Sequence, residues 1–151
     1  MTSRRSDEGS SWASSFNARQ TMRANKGRDT KPELDVRRLL HAHGYRYRVN
    51  HRPDPSLRRT ADIVFTRARV AVFIDGCYWH GCPEHFVLPT ANRNFWEAKI
   101  VANRIRDAET SRQLVERQWT VLRFWEHDTG PSLRAVVSEI EAAVDAAFRR
   151  R

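Results

Sequence analysis

The sequence predicts an α/β domain in which a mixed central sheet is flanked by helices. Three observations carry that expectation. The apolar runs Ala61-Asp62-Ile63-Val64-Phe65 and Arg69 to Ile74 read as strands, and the short link Thr66-Arg67-Ala68 between them makes a hairpin. A helical segment then separates this hairpin from a further strand, Trp119-Thr120-Val121-Leu122-Arg123-Phe124-Trp125. Leu133, Val136, Val137, Ile140, Val144 and Phe148 form one apolar stripe on a last helix that Ser132 is placed to cap.

The elements follow in order. Residues 1–18 are rich in Ser, Arg and Gly and read as a flexible tail, which leaves 19–151 as the folded domain. In Asp29-Thr30-Lys31-Pro32-Glu33, Thr30 suits a helix cap, Pro32 the first turn and Glu33 the closing acid of a capping box. Val36, Leu39, Leu40 and His43 share a face of that helix, and Gly44 ends it. Tyr45 to Val49 alternates apolar with charged, as a half-exposed strand does, and residues 50–59 form a Pro-containing loop. Residues 75–93 form a long irregular loop, which calls for a function or a metal staple. From about Asn94 to Arg117 the pattern is helical, with Ile100, Ala108 and Leu114 expected inside. The predicted order is α-β-β-β-α-β-α, with no internal repeat.

The chain has 151 residues, enough for one core, and a formal charge of +9. Its pI is near 10.7 and its mean hydropathy is −0.71. Nearly all the positive charge is arginine, since the only lysines are Lys26, Lys31 and Lys99. A basic, arginine-rich domain attracts polyanions, and the guanidinium fork suits phosphate. Biased genome composition is the bland alternative. No window approaches a membrane span, and no apolar core follows Arg4-Arg5 as a secretory signal requires, so an intracellular, cytoplasmic setting is expected.

The chemistry gathers in Phe73-Ile74-Asp75-Gly76-Cys77-Tyr78-Trp79-His80-Gly81-Cys82-Pro83-Glu84-His85. Cys77, Cys82 and His85, with His127 beyond the fourth strand, offer four N or S donors, the set of a closed structural Zn²⁺ site. The alternative is a buried thiol beside a solvated histidine. Asp62 sits inside an apolar strand, where a charge must be paired or bind a cation. Asp75 ends the next strand, so the two carboxylates can lie together and bind Mg²⁺, with His80 free to act as general acid or base. Asp62 paired with an arginine, Asp75 as a turn former and Glu33 as a mere capping acid are the competing readings.

Taken together, these residues resemble the very-short-patch repair endonucleases, mismatch-specific DNA nicking enzymes with a restriction-endonuclease-like fold. The resemblance runs from about Asn17 to His127. Its pieces are Met22-Arg23-Ala24 with Asp29-Thr30, then Glu33, Asp62, Phe73 to His80, Phe95-Trp96 and Trp125-Glu126-His127. It implies a break in duplex DNA 5′ to the thymine of a T·G mismatch, of the kind left by 5-methylcytosine deamination. By position, Asp62 and the Ile74 carbonyl look like Mg²⁺ ligands, His80 like the general acid or base, and Glu33 like its support. Asp107 looks like an acid that steadies the active-site imidazole. Cys77, Cys82, His85 and His127 look like the zinc set. Tyr78, Trp79 and Trp96 look like aromatics that wedge into DNA, while Met22 and Arg23 look like an arm approaching from the other groove. The resemblance further implies a monomer on nucleoid DNA, with mismatch-repair proteins as candidate partners.

Three positions depart from the pattern. Asp75 stands where some relatives have histidine, and serves either as a second metal ligand or as an anchor for His80. Cys77 takes the place of the superfamily's lysine, and Ala61 that of the usual proline. A restriction-type nuclease without mismatch specificity and a non-catalytic zinc-stapled DNA-binding module are the alternative functions.

Overall fold

The computed structural model describes residues 30–76, 82, 88 and 90–150. The predicted tail, Met22, Arg23, Cys77, Tyr78, Trp79, His80 and His85 lie outside the described residues. The element order is α1 (Lys31–Ala42), β1 (Arg48–His51), β2 (Ala61–Phe65), β3 (Val70–Asp75), α2 (Arg93–Glu116), β4 (Thr120–Trp125), a 3₁₀ turn (Glu126–Thr129) and α3 (Leu133–Arg149). Among the described residues, the predicted order of helices and strands holds.

The sheet order is β1-β2-β3-β4. β1, β2 and β3 pair antiparallel, and β4 runs parallel to β3, returning through α2. Parallel neighbours need such a crossover, which is why a long helix stands between these two strands.

Alternation along the strands divides the core in two. Val70, Val72 and Ile74 of β3 and Phe124 of β4 face α1 and α3, where they meet Val36, Leu40, Val136, Val137 and Ile140. Ala71 and Phe73 face the other way and pack with Leu57, Leu114 and Trp119.

Several local expectations are corrected. Thr30 caps α1 through its backbone only, because Glu33 turns inward to Arg37 and forms no capping box. Tyr45 and Tyr47 do alternate inward, edge-on to Phe65, but the ladder begins only at Arg48. Ser132 makes no side-chain cap. Phe148 is exposed, and Ala147 takes the inward place on the last turn of α3. Ala108 is exposed as well. The inward line of α2 runs through Trp96, Ile100, Asn103, Asp107, Thr110 and Leu114, so it turns polar in the middle.

Candidate active site at the splayed end of the hairpin

The pairing of β2 with β3 runs from Phe65↔Val70 to Ile63↔Val72. One residue further along β2, the Asp62 carboxylate accepts the Ile74 N–H at 2.6 Å. A side chain thus replaces a ladder bond where the two strands part. In extended backbone, a residue's N–H and C=O leave on the same side, so the Ile74 carbonyl is turned toward the same gap. The structure brings the Asp62 side chain to the Ile74 backbone through that N–H.

Burial is the main force on Asp62 and raises its carboxyl to about 7; the Ile74 N–H opposes this, the charges of Glu33 and Asp75 add to it, and Arg37 offsets part of them. Glu33 is buried, and its carboxylate takes Arg37 at 3.2 Å. The Tyr47 hydroxyl donates to the Arg37 carbonyl at 2.6 Å, which fixes that turn of α1. The nearby arginine pairs with Glu33 at hydrogen-bond distance, and its charge lowers the Asp62 carboxyl.

A shielded carboxylate surrounded by two further acids is a place where a cation lowers the free energy. No three Asp, Glu, His or Cys side chains form a metal-holding group among the described residues. One carboxylate and one carbonyl nevertheless fit Mg²⁺, which keeps several waters and completes its shell with substrate phosphate.

Asp75 ends β3 opposite Trp125 of β4. Its two oxygens accept from the Arg123 guanidinium at 3.1 and 3.2 Å. Arg123 also donates to Ser111 Oγ at 2.8 Å and to the Asp107 carbonyl at 3.2 Å, both on α2. Its guanidinium carbon lies 4.1 Å from the centre of the Phe73 ring. Sequence reasoning missed Arg123, although the signal that exposed Asp62, a lone charge in an apolar strand, was present there too.

Cys82 is buried, and its sulfur stands 3.7 Å from Nδ1 of His127. Zinc bound to sulfur at about 2.3 Å and nitrogen at about 2.0 Å holds the two donors roughly 3.5 Å apart in a tetrahedron. The observed spacing fits a shared ion. Nε2 of His127 faces the Asp128 carboxylate at 3.4 Å, the outer contact that orients a metal-bound imidazole. Trp96 is packed inside, edge-on to Phe95, and it is Phe95 that stands half exposed. Reaching a base would require Trp96 to leave that position.

An acid at the parting of a hairpin, on a mixed sheet whose third and fourth strands are joined by a crossover helix, is the arrangement expected of the restriction-endonuclease-like class. Residues 15–85 match the family described as DNA mismatch endonuclease Vsr. Among relatives, a type II nicking enzyme V.NaeI from Lentzea aerocolonigenes is 44% identical over 72% of this chain and 67% of its own length. A type II nicking enzyme V.NmeDIP from Neisseria meningitidis serogroup C is 37% identical over 83% of this chain and 84% of its own. The DNA mismatch endonuclease Vsr of Escherichia coli (strain K12) is 36% identical, covering 71% of this chain and 67% of that enzyme. The chain belongs to the Vsr family of DNA endonucleases.

Proposed function

We propose that this endonuclease cuts one strand of duplex DNA 5′ to the thymine of a T·G mismatch, using Mg²⁺ held at Asp62 and the Ile74 carbonyl. The observation that carries the reading is the Asp62 carboxylate seated on the Ile74 N–H where β2 and β3 separate. Bound there, Mg²⁺ supplies polarisation of the scissile phosphate and activation of the attacking water. The chain's own groups do the rest. Asp62 fixes the ion's place, and the Glu33–Arg37 pair sets the local charge. His80 moves the proton, and Asp107 steadies its ring.

Cys77, Cys82, His85 and His127 would hold Zn²⁺ as a structural staple, and the Cys82–His127 spacing supports this. The staple would keep Tyr78 and Trp79 rigid beside the scissile phosphate. A mismatch is poorly stacked, so opening it costs less than opening a matched step. Each base stacked on an aromatic ring contributes about 1–3 kcal/mol, enough to convert that difference into selection.

The relatives named as type II nicking enzymes favour a second reading, in which strand nicking does not depend on a T·G pair. Paired oligonucleotide duplexes, identical except for T·G against T·A, separate the two. With Mg²⁺ present, the first reading expects a single nick 5′ to the mismatched thymine and little cutting of the matched duplex. Equal nicking of both would establish the second. Binding without any cutting would leave a DNA-binding module.

A further inference from the structure

We propose that Arg123 is a positioning residue for strand cleavage, and that Asp75 serves the site as its ion-pair partner and not as a metal ligand. The proposal rests on the reading of Asp62 as the cleavage centre.

Arg123 is the one charged residue of β4, with the apolar neighbours Leu122 and Phe124 in a strand otherwise occupied by Thr, Val and Trp. Every hydrogen-bonding edge of its guanidinium has a use. One nitrogen holds both Asp75 oxygens, another takes the Asp107 carbonyl, and Nε takes Ser111 Oγ. The flat face stacks on Phe73. These contacts join the end of β3 to the middle of α2, the helix that carries Asp107. Asp107 Oδ1 itself lies 3.9 Å from the same guanidinium.

The arrangement has two consequences. The Asp75 carboxylate is committed to a cation the protein already supplies, both of its oxygens accepting from one guanidinium nitrogen in a charge-assisted pair. The ends of β3 and α2 are also held in register by a planar group, so Asp107 and Ile74 keep fixed places relative to each other. Lysine has the charge but lacks the fork, and could serve only part of this set.

The test is steady-state nicking by the full chain, using the duplex it cuts best. Arg123→Met is expected to lower kcat at least thirtyfold with KM changed less than threefold. Asp75→Asn is expected to lower kcat about tenfold, with less than a threefold rise in the Mg²⁺ concentration needed for half-maximal rate. The double variant should be no slower than Arg123→Met alone, and Arg123→Lys should fall between that variant and wild type.

A tenfold or greater Mg²⁺ shift in Asp75→Asn would make Asp75 a ligand and overturn the proposal. Losses that multiply in the double variant would do the same. So would a rise in KM, or a weaker salt dependence, with kcat preserved in Arg123→Met, because that is how a phosphate contact behaves. Thermal melting of wild type, Arg123→Met, Asp75→Asn and the double variant gives a readout free of catalysis. Should wild type cut no duplex, the functional reading fails by itself. The pair is then judged on melting, where non-additive losses uphold the tie and additive ones reject it.

Discussion

On one face of the sheet, α1 and α3 press Val36, Leu40, Val137 and Ile140 onto Ile63, Val70 and Val72, and every one of these side chains is buried. On the other face, among the described residues, α2 covers the sheet together with the loop residue Leu57. It contributes Leu114 to a smaller apolar cluster with Phe73 and Trp119, then turns Asn103 and Asp107 inward. The same helix leaves Val101, Ile105 and Val115 exposed. The first face is apolar packing over most of its extent, with the Glu33–Arg37 pair of α1 bringing charge to it near Asp62. The second gives up apolar contact for a guanidinium, an ion pair and a half-buried carboxylate. Ile74 points to the larger apolar cluster and its neighbour Asp75 to the Arg123 pair, so β3 separates most of the packed core from that polar network, while Asp62 lies where the charges of Glu33 on α1 and Asp75 on β3 both reach it.

The sharpest way to break this division is to remove chemistry without removing stability. Asp62→Asn should lower the nicking rate by about 10³-fold, the scale set by loss of an electrostatic group acting on the transition state, while the fold persists. A variant that still nicks within tenfold of wild type would remove Asp62 from the centre. The converse is Ile140→Ala, on the packed face. It should cost about 2–5 kcal/mol in urea unfolding, with nicking per folded molecule unchanged.

A third effect should be smaller and has a definite sign. The Asp62 carboxyl titrates at about 7 in the fold against an ordinary 3.8. Between those values the folded chain keeps a proton that the unfolded chain has lost. Stability of the metal-free protein should therefore fall as pH rises from about 4 to about 7, then level off. Melting in chelator at pH 5 and pH 8 should show the fall in wild type and a much reduced one in Asp62→Asn. Equal falls in both would place the effect elsewhere. The least effect is expected from Ile105→Glu on the exposed side of α2, within about 0.5 kcal/mol; a larger loss by thermal melting would mean that this surface is covered.

Much of this organisation was legible in the residues. The hairpin and last helix declared themselves through apolar periodicity, and Asp62 through a charge that such a strand tolerates only for a reason. The same rule applied to Arg123, whose partners Asp75, Asp107 and Ser111 lie far away in sequence, so the pair could be seen only once β3 and β4 were side by side. The inward line of α2 was obscured because Asn103, Asp107 and Thr110 interrupt the apolar pattern, so a single helix face carries both core and site. Glu33 misled as a capping acid because local spacing does not reveal that α1 turns it into the interior toward Arg37. Trp96 is similar: a tryptophan at the start of a helix after a loop suits a surface role or a core role equally until its neighbours are known.

The most direct measurement counts divalent ions on the complex. Mn²⁺ can stand in for Mg²⁺ as a paramagnetic probe, with the chain bound to a T·G duplex whose scissile phosphate is blocked against cleavage. The account predicts a bound ion in wild type that is lost in Asp62→Asn while DNA affinity persists. Equal Mn²⁺ binding by the two proteins would contradict it.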